Sequence, residues 1–444
     1  MSCDVPIFVL FVSAFLFCSN IRLITMLIIH LDNLLPSYSG NEVIQGRVVL
    51  DCSHEVPVQD VRLILTGRAK SKVQKAKNSA ALKASYRGKA NLFEKEKILL
   101  SYGGPLAPQK YEWPFGFAFP AHAQPTSKGW SVQAPFQHHP DQPLPPTFAA
   151  VVKDELRELE CSVEYWLEAI VTKPGRGLLG QSHLFREIVR LPCVPLPVDL
   201  KNIDTAISRD QHFTIRSLSL LPENRSKRLT FQEKMQSWFG SYKLPRFTFK
   251  STFRYPTRIS QSIPLDCSLR IDPIMEDSSV TSEPAVTLRS ISLVLVSQTS
   301  ARASPSLMGA ISGQVDERVE LISKSSVDIP ISGRVGLAQL FGPLVLNQDI
   351  SFSTFNICRS YKLCAKFVFE CVGKSVNLDL DDLGIEIFPH ILKEQSDGDI
   401  AELEGSTPIK QPEGEDPPAY TPPPPESSGL DENGGQKGNP NGST

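Results

Sequence analysis

Cys161-Ser162-Val163-Glu164-Tyr165-Trp166-Leu167-Glu168-Ala169-Ile170-Val171 carries an apolar side chain at every odd position, with Ser162, Glu164 and Glu168 set between them. A period of two sends the odd set to one face of a β-strand and the even set to the other. The same alternation recurs along the chain. Val48, Leu50 and Cys52 alternate with Arg47 and Asp51, and Val61, Leu63 and Leu65 follow. Tyr111, Trp113, Phe115, Phe117 and Phe119 put five aromatics on one face, and Pro114 marks an edge or a bulge because it has no N–H to donate. In the second half, Phe247, Phe249 and Phe253 form one run, Leu265, Cys267, Leu269 and Ile271 a second, and Ile291, Leu293 and Leu295 a third. Tyr361, Leu363, Ala365, Phe367, Phe369 and Cys371 form the longest, against Lys362, Lys366 and Glu370. Strands with one apolar and one polar face bury the first by pairing sheets, so the chain reads as all-β, with two antiparallel β-sandwiches in tandem.

Helix signals are few. Thr230-Phe231-Gln232-Glu233 has the form of a capping box, opening a short helix to Phe239 that Gly240 ends. Pro192-Cys193-Val194-Pro195-Leu196-Pro197 is a stiff crossing between the halves. After Pro389 the composition turns to Gly, Pro, Asp, Glu and Ser, too polar to build a core. The expected organisation is an apolar extension over residues 1–25, a first domain over 26–195, a connection over 196–210, a second domain over 211–389 and a disordered acidic tail over 390–444.

Charge is uneven. Residues 394–444 hold eleven Asp/Glu and two Lys/Arg, a net of −9, which leaves about +7 on the rest to reach the overall −2. Nine cysteines without a C-x-x-C pair fit neither a zinc framework nor a dense disulfide scaffold. Cys52, Cys161, Cys267 and Cys371 fall at apolar positions of strand runs, as small buried hydrophobes do, which points to a reducing, cytoplasmic compartment. Val5–Phe17 is apolar, but an aspartate and no lysine or arginine precede it. Three readings stand for 1–25: a signal peptide, a membrane anchor together with Leu23–Ile29, or an extension ahead of a start at Met26, the last being preferred because Leu27–Leu31 then makes a natural first strand.

Chemical motifs are scarce. Gly175-Arg176-Gly177-Leu178-Leu179-Gly180 spells G-x-G-x-x-G, and Leu184, Ile188 and Leu191 keep helical spacing after it. Pro192 stops that run and no βαβ series follows, so a hairpin turn after Pro174 is preferred and no cofactor is expected. His138-His139 lacks the further ligands that a metal needs. No G-x-S-x-G, H-E-x-x-H or P-loop occurs, and the chain reads as a non-enzyme without cofactor or metal. Arg68, Lys70, Lys72, Lys75, Lys77, Lys83, Arg87 and Lys89 stand in a stretch without acid. The expected setting is a solvated inter-strand loop; its functional reading is contact of Lys70 to Lys89 with an anionic membrane. Nucleic acid is disfavoured because aromatics are nearly absent there.

Pro417-Pro418-Ala419-Tyr420 reads P-P-x-Y in a proline-rich acidic segment. Such a segment favours polyproline II, the shape that aromatic grooves of WW domains accept, with Pro417 and Pro418 across the aromatics and Tyr420 in the adjoining pocket. Ser304-Pro305, Thr407-Pro408 and Thr421-Pro422 are candidate acceptors for proline-directed kinases.

Ser39-Gly40-Asn41-Glu42-Val43-Ile44-Gln45-Gly46-Arg47-Val48-Val49-Leu50 resembles the opening hairpin of arrestin N-domains. Val61–Arg68 is similar to their next strand, ending in a glycine. Tyr111-Glu112-Trp113-Pro114-Phe115-Gly116-Phe117-Ala118-Phe119-Pro120 resembles their aromatic phrase, Leu144-Pro145-Pro146-Thr147-Phe148 the phrase after it, and Val163–Ala169 the strand that follows. Phe352-Ser353-Thr354-Phe355 with Tyr361-Lys362-Leu363 resembles a C-domain pair. The resemblance covers about residues 26–389 and, with the P-P-x-Y tail, points to the α-arrestins, the arrestin-related trafficking adaptors. It implies two arrestin-type sandwiches that recognise plasma-membrane cargo, a transporter or receptor, and a tail that recruits a WW-domain HECT ubiquitin ligase for endocytosis. The alternative is an arrestin-fold scaffold or coat component of retromer type that recruits no ligase. Many such adaptors carry two or more P-P-x-Y motifs, and a single one forgoes avidity.

Overall fold

A computed structural model describes residues 25–75, 84–124, 130, 133–136, 142–174, 182–196, 205–224, 244–303 and 311–390. The chain divides into a body, Met1–Leu392, and a second unit, Lys393–Thr444, all of which lies outside the described residues. The expectations for residues 1–24, the capping box at Thr230, the three Ser/Thr-Pro sites, the disordered tail and the P-P-x-Y motif also fall outside them.

Among the described residues, eight strands build the first half: β1 Met26–Leu31, β2 Val43–Asp51, β3 Val56–Lys75, β4 Ser85–Leu106, β5 Lys110–Ala118, β6 Phe148–Lys153, β7 Arg157–Lys173 and β8 Ser182–Arg190. They form two sheets, one ordered β1-β2-β5 and the other β4-β3-β7-β6, with β8 also on β7. All pairings within them are antiparallel. Pro114 lies on β5, an edge strand, where its missing donor costs nothing. The inner faces close on one core, to which Ile44, Val48 and Phe115 come from the first sheet and Leu63, Val163 and Leu167 from the second. Phe93, Phe119 and Tyr165 meet at its centre with ring centroids 5.5 to 5.9 Å apart. Burying each such ring contributes about 1.5–3 kcal/mol. The Tyr165 hydroxyl donates to Pro145 O at 2.7 Å, so the ring is buried without an orphaned donor, and that burial pushes the phenol well above its ordinary pKa.

Among the described residues, ten strands build the second half: β9 Ala206–Arg216, β10 Arg246–Pro256, β11 Arg258–Ser260, β12 Ser268–Ile274, β13 Val286–Arg302, β14 Ser312–Ile331, β15 Gly333–Gly336, β16 Phe352–Ser353, β17 Ile357–Cys371 and β18 Lys374–Phe388. One sheet runs β15-β12-β10-β9, the other β11-β18-β17-β13-β14 with β16 beside β17. Phe247, Phe249 and Phe253 from the first pack with Phe367 and Phe369 from the second. The architecture is all-β, with sheets paired face to face in each half.

Three details depart from the sequence reading. Gly67 does not end its strand: β3 continues to Lys75, and Gly67 marks a register shift against β4. A Cβ there would lie 2.6 Å from Phe93 and 2.8 Å from Tyr165, so glycine is required by the two rings that close over the backbone. The sheets are not wholly antiparallel, since β11 pairs with β18 in parallel. The first strand of the second half, β9, begins at Ala206, inside the stretch assigned to the connection.

The proline crossing is anchored in the first half. Tyr38 N donates to Pro192 O and Val194 N to Tyr38 O, while Cys193 N donates to Thr147 Oγ1 at 2.7 Å.

Candidate docking surfaces

Three hairpins end at the same place. In the β3–β7 ladder Lys75, the last residue of β3, stands opposite Arg157, the first of β7, so the β3–β4 hairpin and the β6–β7 turn share one end of the sheet. The β13–β14 hairpin of the other half reaches it too: a Cβ on Gly313 would lie 3.0 Å from Leu159 and 3.4 Å from Val73. The β6–β7 turn is fixed by Asp154, whose Oδ1 accepts the N–H groups of Leu156 at 2.7 Å and Arg157 at 2.6 Å. That cap holds Leu156 outward, 61% exposed, with Val151 of β6 65% exposed nearby in sequence. The turn thus presents an apolar side chain to water where the three hairpins meet, and loops of that kind are where binding residues concentrate.

Six of the eight basic residues are on strands rather than in a loop. Arg68, Lys70, Lys72 and Lys75 belong to β3, and Arg87 and Lys89 to β4, whereas Lys77 and Lys83 lie outside the described residues. Ala69, Ser71 and Val73 point into the core, which turns Lys70 and Lys72 to the outer face. The stretch lacks acids in sequence, yet β7 supplies them across the sheet: Lys70 pairs with Glu164 at 2.6 Å and Lys72 with Glu160 at 2.8 Å. Arg68 lies over Trp166, 4.7 Å from the ring centroid. Arg87 and Lys89 form no ion pair among the described residues. Together Lys70, Lys72, Arg87, Lys89, Glu160 and Glu164 line a shallow cavity of about 450 Å3, and four cations against two carboxylates leave two positive charges. The two glutamates across the sheet thus offset part of the positive charge that the sequence shows there.

Behind this end runs a buried polar seam between the halves. Ser71 Oγ donates to Arg302 O at 2.6 Å, and Asn356 Nδ2 donates to Ser71 Oγ at 2.8 Å. Arg302, fully buried, has its guanidinium 4.9 Å from the Trp130 ring and 4.7 Å from that of Phe136, and its Nε donates to Phe355 O. Phe148 and Phe352 meet edge to face at 5.0 Å. Ala301, Val315, Phe355 and Ile357, all from the second half, belong to the first core. Nearby, Arg359 donates to Thr299 Oγ1, to Glu317 at 3.2 Å and to the Tyr361 hydroxyl at 3.1 Å.

Residues 27–177 match the family model described as Arrestin (or S-antigen), N-terminal domain. The chain is arrestin-like. No curated protein matches it. In this arrestin-like protein the opening hairpin phrase lies on β2 and the approach to it, and the aromatic phrase on β5. The C-domain phrase Phe352–Phe355 supplies part of the seam. The glycine-rich run 175–180 lies outside the described residues, but β8 after it is an antiparallel strand on β7, with Lys173 opposite Ser182. A dinucleotide fingerprint requires a helix there. His138 and His139 lie outside the described residues; among the described ones no cluster of three metal-ligating side chains occurs, and no helix is long and apolar enough to cross a membrane. Pro417, Pro418 and Tyr420 also lie outside the described residues. The acids of β7, the convergence of hairpins and the seam escaped the sequence reading, because each depends on strand register between segments far apart in the chain.

Proposed function

We propose that this arrestin-like protein is a non-catalytic, cytoplasmic adaptor that couples membrane cargo, a transporter or receptor, to a WW-domain HECT ubiquitin ligase. The arrestin-type N-domain supports a trafficking or scaffolding role. The observation that carries the finer reading is Pro417-Pro418-Ala419-Tyr420, a WW ligand on the same chain as that body. Cargo docks at the hairpin end around Leu156. The ligase is recruited by the tail, and holding both raises their effective concentration, so that the ligase acts on cargo lysines while this chain does no chemistry. The β3–β4 cations, with a net of two charges among the described six, serve as a weak membrane-facing patch rather than an anchor. Seven free cysteines among the described residues, six of them buried, suit a reducing compartment.

The test is binding of residues 405–430 to a panel of WW domains, with Tyr420→Ala as control. Saturable binding that the substitution abolishes is the expected result. No binding to any member would leave an arrestin-fold scaffold of retromer type, with no ligase attached.

A further inference from the structure

A cleft of about 470 Å3 opens between the two sandwiches on the side of the proline crossing. Pro143, Pro145 and Leu196 line one wall, and Ile350, Phe352 and Phe388 the other. Its size and its place between domains are those of small-molecule sites. The walls are stiff before anything binds: prolines fix one, and the other is tied across by the Phe148–Phe352 contact and by Ser353 Oγ donating to Pro135 O at 3.1 Å.

Among the described lining residues the charged side chains are paired, with the exposed His122 as a further basic group. Arg359 is held by Glu317 at 3.2 Å, and Glu386 by Arg258 at 3.1 Å, so neither charge awaits a counter-ion. One polar group is left over. Gln142 lines the cleft at 7% exposure, and its Oε1 is enclosed with no hydrogen-bond partner among the described residues. A buried amide in that state costs about 1–3 kcal/mol, which a bound partner would recover. Oε1 is shut off from solvent as it stands, so a ligand meets the amide only once its soft terminal torsion turns it towards the cleft.

We infer that this cleft binds a neutral, largely apolar small molecule whose hydroxyl or amide hydrogen-bonds to Gln142. The inference is independent of the adaptor reading, since it uses neither the tail nor the hairpin end. An ionised ligand would enter a cleft whose one arginine among the described lining is already paired, with only the exposed His122 imidazole to answer a carboxylate, and would lose its hydration, which disfavours fatty acids relative to alcohols of the same length.

The test uses the full chain and the neutral probe N-phenyl-1-naphthylamine, whose fluorescence rises in apolar surroundings. Saturable one-to-one binding is expected, displaced by 1-dodecanol and not by laurate. Gln142→Leu weakens it about 3- to 10-fold, the value of one hydrogen bond. Ser360→Trp, which fills the cleft from β17, weakens it more than about tenfold. No saturable binding, undiminished affinity in either variant, or equal displacement by laurate would overturn the inference. If Ser360→Trp does not fold, protection of Cys358, buried in the cleft wall, from N-ethylmaleimide replaces it; a labelling rate unchanged by saturating probe overturns the inference as well.

Discussion

Asn356, in the bend just before β17, donates through Nδ2 to the Oγ of Ser71 in β3 at 2.8 Å, 285 positions away, and both side chains are buried. Ser71 Oγ passes the interaction on to Arg302 O, so one hydroxyl, accepting and donating at once, ties β3 of one sandwich to the end of β13 and the approach to β17 in the other. Asn356→Ala leaves Ser71 an unpaired acceptor and removes the second contact, to Ala69 O at 3.4 Å. The expected loss is about 1–3 kcal/mol in urea unfolding. A change below about 0.5 kcal/mol, the size of a surface substitution, would show that the seam does not hold the halves together.

Arg302 tests the same seam through packing. Burial lowers its guanidinium from the usual arginine range, yet two aromatic faces and a carbonyl surround it. Arg302→Ala removes a desolvated cation–π sandwich and a hydrogen bond, and about 3 kcal/mol of stability is expected to go with them. Arg302→Lys restores little, since a compact ammonium lacks the planar guanidinium that meets both Trp130 and Phe136. Thermal unfolding of the two variants side by side decides it: full recovery by lysine would reduce the site to a simple positive charge.

What could be read from the chain divides along a physical line. Residues 161–171 and 361–371 declared their faces because a period of two is local, and every odd position in both is buried as expected. The aromatic run of β5 declared its edge position through Pro114. Lys70 and Lys72 read as an uncompensated basic stretch because Glu160 and Glu164 lie about ninety residues further on and meet them only through the β3–β7 register. Gly67 read as a terminator because a glycine in sequence does not say whether a turn or two aromatic rings demand it. Asn356 and Gln142 gave no signal at all: a polar residue near a strand looks the same whether it faces water, a seam or a cleft.

The buried thiols set a limit at alkaline pH. Burial pushes Cys161, Cys193 and Cys267 up from 9.0 to about 12. Between those values the unfolded chain loses these protons and the folded chain keeps them, so the folded state binds more protons and stability falls as pH rises. The contribution is whole below about pH 9 and is lost towards 12, at up to about 1.4 kcal/mol per pH unit for each thiol. Urea midpoints at pH 8, 9 and 10 should decline, and Cys267→Ala should decline less steeply. Parallel slopes for the two proteins would show that Cys267 titrates alike in both states.

Leu156 separates docking from folding at the hairpin end. Asp154 makes the turn through two backbone hydrogen bonds, and Leu156 itself packs little, so Leu156→Ser should change stability by no more than about 0.5 kcal/mol. Its effect belongs instead to whatever meets the exposed side chain. Proximity labelling in cells with wild type, Leu156→Ser and Tyr420→Ala gives two independent readings. Leu156→Ser should lower recovery of membrane proteins and keep the ligase, and Tyr420→Ala should lose the ligase and keep the membrane proteins. Membrane-protein recovery undiminished in a Val151→Ser, Leu156→Ser double variant would move cargo docking away from this end of the molecule.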